Sequence, residues 1–299
     1  MEAYGHMRGQ RIATLVETLK AHAYRVPPVR RVYIPKPGQP TKQRPLGIPE
    51  VEDRLLQAAV NRLLTPIYEA DFQNGSYGFR PGRSPHDALN AVETAVRTRP
   101  IQWVFEADIP GFFDHIQHGW MMTMLQQRIG DPGILRLIQK WLHAPIIEPD
   151  GQRVHPTEGA PQGGPLSPLL GNIYLHYALD LGFAKAVRPR CRGEAHLVRF
   201  ADDFVVLFEH EDDAQRFATA LPTRLTKFGL TLAADKTRLI PFGRSTGQKA
   251  ASQGHPAPRF DFLGFQHFGV PTRTGRWRLQ RYPTAKSRRK FLDKVQGQF

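Results

Sequence analysis

The sequence holds one cysteine, Cys191, among 299 residues. A disulfide needs two, so no internal disulfide framework exists, and a cysteine-rich zinc site is excluded as well. That usage fits a reducing compartment. Long apolar runs are also missing: none approaches the roughly 18 residues of a membrane helix, and the opening stretch "MEAYGHMRGQRIATLVETLKAHAYRV" has no apolar core of signal-peptide length. A soluble, cytoplasmic protein with no membrane partner is expected. No repeat period and no long low-complexity linker occurs. Acidic residues are scarce relative to basic ones, 27 against 41, for a formal net charge of +14 and a pI near 10.2. Such an excess asks for a polyanionic partner, nucleic acid first and an anionic membrane second; a solvated basic surface is the plain alternative.

What is present reads as mixed α+β. Hydrophobic residues make up 40% of the chain, enough for one large core or two interlocked subdomains. Ile12, Leu15, Val16 and Leu19 have helical spacing. From Pro27 to Pro49 the prolines exclude helix, and two extended segments edged with Arg30, Arg31, Lys36, Lys42 and Arg44 form a basic hairpin. Val51, Leu55, Leu56, Ala59, Leu63 and Leu64 then predict a helix that buries that apolar face. Ser84 with Pro85, and Ser167 with Pro168, read as helix caps followed by proline in the first turn. "IQWVFEADI" reads as a strand, residues 119–142 as helix broken at Asp131-Pro132-Gly133, and "IIEPDGQRVHP" as a hairpin turning at Asp150-Gly151. A helix is expected from about Asp212 to Phe228, and "GLTLAADKTRLIPF" and "RFDFLGFQHFG" look strand-like.

The chemistry concentrates in "RFADDFVVLF", residues Arg199 to Phe208. Asp202 and Asp203 stand side by side between apolar runs that are too apolar for a surface turn. Two adjacent negative charges in that setting call for a positive neutraliser, usually a divalent metal. Asp108 ends an earlier strand, and a strand-end carboxylate with a pair at a hairpin tip can converge on two divalent ions roughly 4 Å apart. Magnesium is the hard cation that expects carboxylates and phosphates. His115 and His118 form an H-x-x-H without a third ligand, so surface helix positions are expected for them.

The ordered series "IPK", "QRPLGIPEVEDRLLQAAV", "SYGFRPGRSPHDAL", "ADIPGFFDHI", "GAPQGGPLSPLLGNIYL", "RFADDFVVLF", "LAADKTRLI" and "FDFLGF" resembles the reverse transcriptases encoded by bacterial group II introns and their group II-like relatives, from about Val29 to Phe265. The resemblance implies a right-hand polymerase fold with fingers and palm. It implies an RNA-directed DNA polymerase using two Mg2+ ions, Mn2+ being the substitute, with an RNA template, a DNA or RNA primer, dNTPs and an intron RNA as partners. A non-catalytic, maturase-like RNA-binding cofactor, or an inactive remnant of the element, is the alternative.

Position by position, the resemblance assigns the metals to Asp108, Asp202 and Asp203, with the backbone carbonyl of Ile109. Lys36, Arg44, Phe113, Gln162 and Lys236 fall at nucleotide-binding positions: Phe113 as the gate against the ribose 2′ position or else a core aromatic, Lys236 as general acid or else a surface lysine. Arg80, Gly163, Phe262, Leu263 and Gly264 fall along template and primer, Arg80 having a buried carboxylate as its other reading. The chain then divides into an N-terminal helical extension (1–28), fingers (29–100), the first catalytic strand of the palm (101–118), a fingers–palm connection (119–165), the palm with catalytic hairpin and primer grip (166–270), and the start of a truncated thumb (271–299). Two departures stand out: Phe200 where the family has tyrosine, and Pro110 directly after the first catalytic strand. No Cys/His cluster of an HNH endonuclease is found.

Overall fold

A computed structural model describes residues 8–36, 39–271 and 277–296. Helix α1 (Arg8–Lys20) leads into the basic hairpin of β1 (Val29–Lys36) and β2 (Gln39–Ile48), which pair antiparallel with Arg30 opposite Ile48. Helices α2 (Val51–Glu69) and α3 (Pro85–Thr98) follow. Ser84 caps α3 through a reciprocal capping box with Asp87, and Pro85 occupies the first turn, as the residue types predict.

Strand β3 (Trp103–Asp108) is followed by α4 (His118–Gln126) and α5 (Pro132–Leu142). The break between these helices falls at Asp131, whose carboxylate accepts from the amides of Gly133 at 2.6 Å and Ile134 at 2.9 Å. Short strands β4 (Ile146–Ile147) and β5 (Arg153–Val154) turn at Gly151 and extend the fingers sheet in the order β2-β1-β4-β5. Helix α6 (Ser167–Leu175) runs into a π-helical turn at His176–Asp180. Ser167 is not its cap: it lies inside the helix and its hydroxyl donates to the Pro161 carbonyl at 2.6 Å, so the loop before the helix takes the group that a cap would have used.

Strands β6 (Ala195–Phe200) and β7 (Asp203–Phe208) form the double-aspartate hairpin. Helix α7 (Glu211–Thr226) packs behind the sheet, and β8 (Arg238–Pro241) completes the palm sheet in the order β6-β7-β3-β8, assembled from non-consecutive segments. Only Arg238–Pro241 of the expected strand around "ADKT" is extended; residues 229–237 form loop and turn. Helix α8 (Arg244–Ser252) precedes β9 (Arg259–Phe262), β10 (Phe265–Pro271) and β11 (Trp277–Pro283), a separate sheet in the order β11-β10-β9, and α9 (Ala285–Gln296) follows. No described helix is long and apolar enough to cross a membrane.

Helix α2 corrects the sequence reading. Its buried residues are Asp53, Gln57, Val60, Leu64 and Tyr68, while Val51, Leu55 and Leu63 are exposed at 43%, 43% and 61%. The reason is polar: Asp53 accepts from the Tyr24 hydroxyl and from Trp141 Nε1, contacts that tie the segment after α1 and helix α5 onto this face. Those partners outweigh the apolar periodicity of the opposite side.

Candidate active site at the palm carboxylates

The palm sheet positions the aspartates by register. Asp108, the last residue of β3, is the cross-strand partner of Asp203, the first residue of β7. Phe105 of β3 and every residue from Phe204 to Phe208 of β7 are buried, so both strands are anchored and their carboxylates emerge at one sheet edge. Asp202 occupies the two-residue turn with Ala201, whose φ of 57° is left-handed. Three carboxylates from two distant segments therefore share one end of the two central strands.

Their electrostatics is unfavourable without a cation. Asp203 is pushed up to about 7, foremost by burial and also by the charges of Asp108, Asp202 and Glu106, against a hydrogen bond from the Leu263 amide. Asp202 is raised chiefly by burial and also by Asp108, with its own amide, Arg44 and Arg199 opposing. Lys236 donates its ammonium to Asp108 Oδ2 and its own proton affinity is raised, foremost by that hydrogen bond. The turn of residues 229–237 puts it there, with the Ala233 amide bonded to the Asp108 carbonyl at 3.0 Å.

The remaining predicted residues fall into three groups. Around the carboxylates lies the β9–β10 turn: Leu263 donates its amide to Asp203 Oδ2 at 3.2 Å, and Leu263 and Gly264 both have positive φ, 51° and 78°. The Gly264 carbonyl accepts from the Thr284 amide at 3.0 Å and the Ser287 hydroxyl at 2.8 Å, which fixes the turn to the start of α9. On the fingers side, the Gly47 amide donates to the Gln162 carbonyl at 2.7 Å. Gly163, at φ 127°, comes so close to β2 that a Cβ would stand 2.7 Å from the Gly47 carbonyl oxygen. Arg44 is exposed on the same strand and close enough to act on Asp202. Phe113 is half-buried, and a Cβ on Gly171 of α6 would meet its ring at 3.0 Å.

Two predicted contacts, Arg80 and Phe262, and one expected surface histidine, His118, are placed elsewhere. Arg80 is turned inward: its guanidinium pairs with Glu69 at 2.9 to 3.1 Å and with the carbonyls of Gln73 and Ser76 at 2.8 Å. The carboxylate reading is the one realised, and the residue is 7% exposed, turned away from any template path. The Phe262 ring is 1% exposed in a core with Val205, Leu207 and Phe260, so it is a packing residue. His118 is 6% exposed, not a surface residue; its Nε2 meets the Gly159 carbonyl at 2.8 Å. His115 is exposed beside Glu158. Ile109 buries its side chain. Lys36 closes β1, and its side chain lies outside the described residues.

Sequence reading missed the support behind the aspartates. Arg199 is 0% exposed and binds Asp180 through both carboxylate oxygens, at 2.9 and 2.6 Å. Its only signal in the sequence was a charge inside the apolar run "LVRF".

Among the described residues no three acidic, histidine or cysteine side chains already stand as a metal-ligand cluster. Lys236 engages Asp108 and Leu263 engages Asp203. The donor set itself is all carboxylate and electrostatically short of positive charge, which fits a hard divalent cation.

A carboxylate-bearing palm sheet joined to an arginine-edged fingers hairpin is the architecture of right-hand nucleic-acid polymerases. Residues 34–267 match the family described as reverse transcriptase (RNA-dependent DNA polymerase), and the chain belongs to that family. It is 43% identical over 168 residues to the group II intron-encoded protein LtrA of Lactococcus lactis subsp. cremoris, covering 56% of this chain and 27% of that protein. It is 37% identical over 220 residues to protein YkfC of Escherichia coli K12, covering 64% and 56% of the two chains. The chain thus matches about a quarter to about half of these relatives' lengths. The fold is similar to that of telomerase from Candida albicans, with a TM-score of 0.61 at 14% identity over 81% of this chain and 44% of that one.

Proposed function

We propose that the chain is an RNA-directed DNA polymerase of a group II intron-type retroelement. The observation that carries this reading is the register pairing of Asp108 with Asp203 beside the Asp202 turn. Two Mg2+ ions, when bound, supply Lewis-acid activation of the primer 3′-hydroxyl and neutralise charge on the departing pyrophosphate. Asp108, Asp202 and Asp203 hold them, with the Ile109 carbonyl. Arg44 and Lys36 bind the triphosphate, the Gln162–Gly163 loop lies against the templating pair, and Phe113 closes the space beside the sugar C2′. The primer 3′-hydroxyl releases its proton to solvent as its oxygen bonds to the α-phosphorus, the bond from that phosphorus to the oxygen it shares with the β-phosphate breaks, and Lys236 gives that leaving oxygen a proton. The Leu263–Gly264 turn holds the primer strand.

The test is incorporation of deoxynucleotides on a DNA primer annealed to RNA, at low salt because phosphate contacts weaken steeply as salt rises. Incorporation that disappears in Asp202→Ala while RNA binding persists supports the reading; incorporation unaffected by that substitution overturns it.

A second reading, an RNA-binding maturase, is favoured by Lys236 standing on Asp108 where a metal ligand is needed. A nuclear intron maturase of Arabidopsis thaliana, 31% identical over 94 residues, is among the similar proteins. RNA binding without any incorporation by the wild type would select it.

A further inference from the structure

The geometry points to Arg199 as a positioning residue that aims the Asp202–Asp203 turn from behind, by tying the Ala201 carbonyl to the fingers loop and to α6. The inference rests on the polymerase reading above and adds a residue to it.

A guanidinium has five N–H donors in a rigid plane. In Arg199 all five are used: Nε and Nη2 on the two oxygens of Asp180, Nη2 also on Ser76 Oγ at 2.8 Å, and Nη1 on Asn172 Oδ1 at 3.1 Å and on the Ala201 carbonyl at 2.8 Å. The partners are in turn fixed. Asn172 donates to the Gly78 carbonyl at 2.7 Å, the Arg199 amide donates to Gly75, and the Tyr77 amide donates to the Arg199 carbonyl, both at 2.8 Å. The loop around Ser76 therefore runs parallel to β6 as a short bridge, pressed against the turn.

Stability alone does not account for this arrangement. A buried ion pair is often no more stabilising than well-packed apolar side chains of similar volume, because both charges are desolvated. What a planar five-donor hub supplies is one defined position. Ala201 is an L-residue in left-handed backbone, a conformation that persists only where the surroundings over-determine it. The Nη1 bond to its carbonyl does so one residue before Asp202. Lysine cannot replace this hub, since a single ammonium reaches fewer partners and lacks the fork.

The experiment compares the wild type with Arg199→Lys, with Asn172→Ala, and with the neutral pair Asp180→Leu/Arg199→Met, each checked by thermal melting. For folded variants that lose the hub, kcat for nucleotide incorporation is expected to fall about 100-fold, the scale of a misplaced catalytic group. KM for dNTP should change less than about 3-fold, because the nucleotide-binding side chains are untouched. Mn2+ binding, followed by its paramagnetic resonance signal without substrate, should weaken about 10-fold. Asn172→Ala, which keeps the ion pair, should show the same pattern at smaller size, and it decides the matter if the Arg199 variants do not fold. If the wild type itself does not polymerise, the Mn2+ titration still separates the variants, so the two readings fail independently. Folded variants with wild-type Mn2+ binding and wild-type kcat overturn the inference.

Discussion

The ammonium of Lys236 rests on the carboxylate of Asp108, 128 positions earlier in the chain. That contact sets a positive charge against one of three crowded carboxylates, and under the proposed polymerase reading it makes Lys236 the proton donor for the departing pyrophosphate. The bond to Asp108 keeps Lys236 protonated well above neutral pH. Lys236→Ala should therefore slow single-turnover incorporation by about 100-fold, within the usual range for a lost general acid. A rate equal to wild type would leave Lys236 as a surface ion pair, worth little to stability.

Gly78 has no room for a side chain. A Cβ there would lie 2.2 Å from the Ala201 nitrogen and 2.9 Å from the Phe200 carbonyl carbon, both backbone atoms that cannot swing away. Gly78→Ala should destabilise the fold by about 2 kcal/mol or more, as overpacking does, and distort the catalytic turn. Gly119→Ala is the control, because among the described residues nothing beyond its own stretch of helix backbone lies within 4 Å of its Cβ position. Equal unfolding midpoints in denaturant for the two variants would contradict the packing described.

Asp53 makes stability depend on pH. Burial pushes its carboxyl up from 3.8 to about 6, with the Trp141 hydrogen bond opposing, and Oδ2 has no hydrogen-bond partner among the described residues. The folded state therefore holds the proton more tightly than the unfolded chain, so this contribution is complete below about pH 4 and is lost as pH rises through about 6. His267, pushed down to about 4 by burial and by Arg281, has the opposite slope over part of that range. The two are separated by difference: the stability advantage of wild type over Asp53→Asn should shrink by on the order of 2 kcal/mol between about pH 4 and pH 7. A difference that stays constant with pH would show that Asp53 ionises normally.

Phe113 is wedged against Phe112 and the Gly171 position of α6, which holds its ring in place. Phe113→Val should raise ribonucleotide use relative to deoxynucleotide use at least about 10-fold, the scale on which pockets discriminate by bulk. An unchanged preference in competition assays would make Phe113 a core aromatic alone.

The carboxylate strand and the double-aspartate hairpin were legible in the sequence because apolar runs flank charges that a surface turn would not need. The capping box at Ser84 was legible because both of its partners are local in sequence. Helix α2 and the burial of Leu64 were legible, but the rest of its buried face was not, since Tyr24 and Trp141, brought in by other segments, decide that Asp53 faces inward. Arg199, Asp180, Asn172 and Ser76 come from three separate stretches of chain and meet only in the fold, so no spacing or period announces them. The Lys236 turn was hidden for a related reason: its shape depends on the Ala233 amide meeting the Asp108 carbonyl.

The most direct measurement is extension of a DNA primer on an RNA template with dNTPs and Mg2+, comparing the wild type with Asp108→Ala, Asp202→Ala and Asp203→Ala while template affinity is measured in parallel. The account predicts extension by the wild type, its loss in all three variants, and template binding that persists in each. Extension that survives any one of these substitutions, or a wild type that binds template without extending the primer, would contradict it.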